Sequence, residues 1–138
     1  MKVRSVLVTV LVVSLSVVTA RGDPPKQPDN TKLINAIMQV ESNADDNASG
    51  DNGKALGCLQ IHKVIVDDVN RIAGTNFTYN DRLDRGKSIQ MFNIYTAHYS
   101  PGGNAEIIAR RWNGGPKGDS KVATQAYWRK VQRRLSSA

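Results

Sequence analysis

The chain holds only two glutamates, Glu41 and Glu106, a scarcity that narrows the search for a general acid. Glu41 lies seven residues after Ile34 and three after Met38, at the edge of the apolar stripe of a helix predicted from Thr31. It also falls in that helix's last turn, where the negative end of the helix dipole disfavours a carboxylate. Both influences favour the neutral form, and a carboxyl kept protonated near neutral pH is what general acid catalysis requires. Glu106 follows Asn104 in the first turn of a later helix. There its charge complements the dipole, and it reads as a capping-box residue.

The run from Ser42 to Gly53 is dense in Asn, Asp, Ser and Gly, which makes a turn-rich loop bearing hydroxyl, amide and carboxylate groups. Within it, Asp51 offers a second carboxylate across a cleft from Glu41, and glycoside cleavage generally uses two carboxyls flanking the scissile bond. Taken alone, an aspartate in such a loop is more often a turn former. A calcium loop is a weaker reading, because no glutamate closes the run at the EF-hand position. Cys58 is the only cysteine and the two histidines are far apart, so no intramolecular disulfide, zinc site or other cofactor is expected. Cys58 reads as a small buried packing group with no base placed beside it by the sequence.

The elements that must position these groups are helical. Leu33, Ile34, Ile37, Met38 and Val40 form one stripe; Ile61, Ile65, Val69 and Ile72 form a second. Ile89, Phe92, Tyr95 or Thr96, and Tyr99 form a third after Asp84. Ile107, Ile108, Arg111 and Trp112 form a fourth, capped by Asn104, and Ala123, Tyr127 and Val131 a fifth, beside Trp128 and Leu135. Helix-breaking clusters separate them at 42–57, 73–81, 100–103 and 113–119. The predicted fold is a mainly α domain of the α+β kind, with a cleft and a small β-hairpin near residues 50–56.

The whole chain has 138 residues, 19 Lys+Arg against 12 Asp+Glu, and a formal charge of +7, room for one small domain. Residues 1–20 pass from basic (Lys2, Arg4) through an apolar run to Val18-Thr19-Ala20, the order of a secretory signal peptide. The run is too short for a membrane anchor. Residues 21–30 hold three prolines and no apolar side chain, a disordered leader. The domain is expected over 31–138, as a secreted monomer (periplasmic if the source is Gram-negative).

The combination of motifs is more specific than any one of them. Glu41-Ser42, then Gly57-Cys58-Leu59-Gln60-Ile61, then Trp112-Asn113-Gly114-Gly115, then Tyr127-Trp128-Arg129-Lys130-Val131 resembles the ordered motifs of soluble lytic transglycosylase-type domains in the lysozyme-like superfamily. The stretch from Ala109 to Trp128 is also similar to invertebrate-type lysozymes, although this chain lacks their many disulfides. The resemblance implies a muramidase acting on peptidoglycan glycan strands between N-acetylmuramic acid and N-acetylglucosamine. Glu41 would be the general acid and Asp51 the second acid. Ser42, Gly57, Gln60, Asn113, Gly114 and Tyr127 would bind substrate around it. Hydrolysis and formation of a 1,6-anhydro product both fit.

Arg110, Arg111, Lys117, Lys121, Arg129, Lys130, Arg133 and Arg134 crowd the C-terminal third, and their charge suits an anionic envelope. The rival expectation is therefore a non-catalytic cationic protein that binds cell walls or glycans on a lysozyme-like fold. No nucleic-acid recognition motif is present, and neither nucleic-acid binding nor stable membrane insertion is expected. Asn47-Ala48-Ser49 and Asn76-Phe77-Thr78 are glycosylation sequons that matter in a eukaryotic source.

Overall fold

Five α-helices and a small sheet follow from the stripes and breakers just described. The structure, a computed structural model, describes residues 30–137. The expected signal peptide (1–20) and all but the last residue of the expected leader lie outside the described residues. The helices are α1 (Thr31–Ser42), α2 (Lys63–Ala73), α3 (Arg85–Tyr99), α4 (Ala105–Gly114) and α5 (Thr124–Ser136). Three two-residue strands, β1 (Ser49–Gly50), β2 (Ala55–Leu56) and β3 (Ile61–His62), lie between α1 and α2. They form an antiparallel sheet in the order β1-β2-β3, with Gly50 opposite Ala55 and Leu56 opposite Ile61. The fold is mainly α with a small antiparallel sheet, as the sequence predicted.

The hairpin falls where it was expected, closed by a 3₁₀ turn over Asp51–Gly53. The third strand was not foreseen. Ile61 matches the helical period of Ile65 and Val69, yet it lies in β3, and α2 begins two residues later. Four-residue spacing across a strand–helix junction is indistinguishable from one continuous stripe when every member faces the same core.

The core gathers Ile37 and Met38 of α1, Val66 and Val69 of α2, Met91, Phe92 and Tyr95 of α3, Ala109 of α4 and Val131 of α5. Leu59 and Cys58 join it from the turn before β3, so Cys58 is the packing group expected of it. Burial pushes its thiol up to about 11, with Asp46 adding to the effect. Asp84 and Asn104 cap α3 and α4, their side chains accepting from the amides of Lys87 and Ile107. Glu106 does not complete a capping box. Its carboxylate pairs instead with Arg110 one turn on, at 2.9 Å.

One buried cation ties the sheet to the rest. Arg82, only 2 % exposed, donates from Nε to the carbonyl of Tyr79 (2.6 Å) and from Nη1 to those of Lys54 (3.0 Å) and Ile61 (2.9 Å). Gly57 lies against the same residue. With φ at +78°, a Cβ there would stand 1.8 Å from the Arg82 carbonyl oxygen, so only glycine fits.

Candidate functional site

Helix α1 buries Leu33, Ile34, Ile37 and Met38, which leaves Glu41 at the seam where the helix ends beside α5. The chain leaves the helix through Asn43 in the left-handed region (φ 56°), its amide bonded to the Gln39 carbonyl. The loop beyond is clamped on both sides. Ser42 Oγ donates to the Cys58 carbonyl at 2.8 Å, and Arg85 of α3 donates to the Ala44 carbonyl at 2.7 Å while pairing with Asp46. These contacts fix the position of Glu41 from several elements at once.

The Glu41 carboxyl accepts a 2.7 Å hydrogen bond from the Tyr127 hydroxyl of α5. Burial raises its pKa to about 7, and the tyrosine bond opposes part of that rise. The phenol of Tyr127 is pushed well above its ordinary value, first by burial and then by Glu41. The shift runs in the direction read from the sequence, toward the neutral form. Its main cause is loss of solvent within the packed seam, a larger influence than the dipole argument suggested.

A cavity of about 410 Å³ opens beside Glu41. Asp51, Gln60, His62 and Asn113 supply polar groups around it, and Ile61, Ile65, Tyr95 and Trp112 supply apolar ones. Trp112 stands edge-on to Tyr95 with ring centroids 5.6 Å apart, and its contact with Phe92 (4.8 Å) anchors it to the core. Asp51, in the hairpin turn, has its side chain more than half exposed and faces His62 of β3 at 3.7 Å. Gln60 sits at φ 48°, with its amide nitrogen donating to the Gly57 carbonyl at 2.9 Å and to that of Ala48 at 3.3 Å. Polar hydrogen-bonding groups beside an aromatic wall are what a saccharide or a polar peptide segment requires of a binding groove.

Of the residues singled out in the sequence, Glu41, Asp51, Gln60 and Asn113 line this one cavity, and Tyr127 reaches it through Glu41. Ser42, Gly57 and Gly114 do not line it. Ser42 braces the loop, and Gly57 makes room for Arg82 and not for a ligand. A Cβ on Gly114 would stand 2.5 Å from Thr124 Cγ2, so that glycine lets α4 meet the start of α5. Sequence reasoning missed Tyr95, Ile65 and His62 as cavity residues. Their helical spacing marked Tyr95 and Ile65 as core, and only the turn of the chain at β3 brings His62 to the rim.

No family model matches the chain, and no curated protein matches it. Among solved structures, the chain is similar to one in the crystal structure of Aeromonas hydrophila PliI in complex with Meretrix lusoria lysozyme. The TM-score is 0.64 at 24% identity, over 74% of this chain and 87% of the other. A likeness at that identity is a likeness of fold. It corrects the enzymatic expectation, because a solved chain of similar fold is part of a protein–protein complex and carries no glycan-cleaving assignment to this chain. Hydrolysis or transglycosylation by Glu41 and Asp51, and the labels of muramidase, glycosidase and lytic transglycosylase, are therefore withdrawn. Among the described residues, no helix is long and apolar enough to cross a membrane.

Proposed function

We propose that this chain is a secreted, lysozyme-like binding protein whose groove beside Glu41 holds a polymer of N-acetylated sugars, the glycan strand of peptidoglycan, without cutting it. The observation that carries the reading is the makeup of the groove. Glu41, protonated below about pH 7, is a hydrogen-bond donor as well as an acceptor. Asn113 and Asp51 face the same space, and the half-buried Trp112 offers apolar ring surface for a pyranose face, backed by the buried Tyr95. The ordered motifs from Glu41-Ser42 to Tyr127 support the lysozyme-like assignment. Without Lys2 and Arg4 of the expected signal peptide the formal charge is still +5 (17 basic against 12 acidic residues), which favours approach to an anionic wall.

Titration of the isotope-labelled protein with soluble N-acetylglucosamine oligomers tests this by NMR. Shifts confined to the Trp112 indole, the Asn113 and Gln60 amides and the residues around Glu41 are expected. Shifts spread over other faces, or none, contradict the reading.

A second reading, favoured by the matched complex, is that the same groove receives a protein segment. Mixing the chain separately with purified PliI and with purified Meretrix lusoria lysozyme, followed by size-exclusion chromatography, tests it. Co-elution with one of them supports a protein partner and tells whose place in that complex the chain takes. Elution apart from both removes this reading.

A further inference from the structure

On a different side of α1 from the core, a groove runs between α1 and α5 and takes no part in the Glu41 cavity. The bond from Tyr127 to Glu41 joins the start of α5 to the end of α1, and Arg134 shares a cavity with Lys32, so the helices run antiparallel. Two adjoining cavities, of about 390 and 260 Å³, share Gln39, Arg134 and Ser137 and so form one trough. Helix α1 contributes Lys32, Asn35 and Gln39, and α5 contributes Lys130, Arg133 and Arg134. On each helix these positions recur at three- and four-residue spacing, so each set is a single stripe facing the other.

No acidic side chain lines the trough. Among the described residues, none of the side chains of Lys32, Lys130, Arg133 and Arg134 has an ion-pair or hydrogen-bond partner, whereas Arg71, Arg85, Lys87, Arg110 and Arg111 are all paired. Like charges one turn apart repel, and the chain supplies no counter-charge here. Helix dipoles explain only part of the pattern. Arg133 and Arg134 suit the C-terminal turn of α5, but Lys32 sits in the first turn of α1, the end that disfavours a cation. The cluster is thus unbalanced within the protein and open along its length.

We propose that the α1–α5 trough binds a linear phosphate-bearing polyanion laid along it, with Lys32 on one bank and Lys130, Arg133 and Arg134 on the other. Asn35 and Gln39 offer amide donors to phosphate oxygens between the cations. A lipid surface fits less well, since the large exposed apolar residues Val64, Tyr79, Leu83 and Val122 all lie outside the trough, and its own apolar lining, Ala36 and Val40, is small and buried or half-buried. Single-stranded nucleic acid fits less well too, because no aromatic ring lines the trough for bases to stack on.

The test is fluorescence anisotropy of a labelled inorganic polyphosphate chain titrated with the full protein. Two triple variants of equal charge change are compared, Lys130→Gln/Arg133→Gln/Arg134→Gln in the trough and Lys54→Gln/Lys63→Gln/Lys117→Gln elsewhere. The trough variant is expected to lose about tenfold or more in affinity and the other about twofold or less, with native binding falling steeply from about 50 to about 200 mM salt. Circular dichroism confirms that both variants are folded; substitution of Lys32→Gln alone, on the other helix, is expected to weaken binding in the same direction. Equal losses in the two triple variants overturn the site, since bulk charge would then suffice. Tighter binding to phosphatidylglycerol vesicles, or to an oligonucleotide of equal charge, overturns the choice of ligand.

Discussion

The hydroxyl of Tyr127 donates to the carboxyl of Glu41 at 2.7 Å, joining residues 86 positions apart in the chain. This bond couples the end of α1 to the start of α5 at the edge of the groove. It also moderates the carboxyl, which burial alone would push higher than about 7. Removing the bond therefore reads directly on Glu41. In Tyr127→Phe the Glu41 pKa is expected to rise above its native value, followed by carbon-13 NMR titration of the side-chain carboxyl. An unchanged or lower value would contradict the described geometry.

The raised pKa also sets a pH dependence of stability. Glu41 holds its proton more tightly folded than unfolded, so its contribution is full below the ordinary value of 4.5 and is lost as pH rises through about 7. Glu41→Gln keeps an acceptor for Tyr127 and cannot ionise. It is expected to stabilise the protein at pH 8 by up to about 3 kcal/mol, since each tenfold difference in proton affinity between the folded and unfolded chain is worth about 1.4 kcal/mol. Near pH 4 it is expected to change little. Urea denaturation at the two pH values measures the difference, and an equal effect at both would refute the coupling.

Gly57 and Arg82 form the joint between the sheet and the turn before α3. A methyl at Gly57 would drive into the Arg82 carbonyl, in a backbone conformation that side chains disfavour. Gly57→Ala is expected to cost about 3 kcal/mol or more in chemical denaturation, well beyond the usual loss at a free glycine. A loss below about 1 kcal/mol would show that the joint yields easily.

Arg82→Leu removes the donors from three carbonyls, those of Tyr79, Lys54 and Ile61. Each buried acceptor left unpaired costs about 1–3 kcal/mol, so a Tm drop of about 10 °C or more is expected for a domain of this size. Because the sheet carries Asp51 and Gln60, amide exchange in β2 and β3 should accelerate along with it. Loss of stability without faster local exchange would place the role of Arg82 elsewhere.

Much of the fold was legible because the helical stripes carry it. Asn104 caps α4 as its side-chain chemistry indicated, and Cys58 packs in the core; the matching cap of α3 by Asp84 was not foreseen. Glu41 and Asp51 were marked from type and position, Gln60 and Asn113 from the motif resemblance, and the chain brings all four to one cavity. The reasons for the motif glycines were not legible. Gly57 and Gly114 are demanded by contacts with Arg82 and Thr124, distant partners that spacing cannot reveal. Nor did the motifs determine activity. A carboxyl whose pKa is raised by burial serves a binding groove as readily as a reacting one.

The most direct measurement is co-sedimentation with purified peptidoglycan sacculi, with mass spectrometry of whatever is left in solution. The account predicts that the native protein pellets with the sacculi, that Asn113→Ala pellets about tenfold less tightly, and that no sugar fragments appear in the supernatant. Failure to pellet, or release of glycan fragments by the native protein and not by Glu41→Gln, would contradict it.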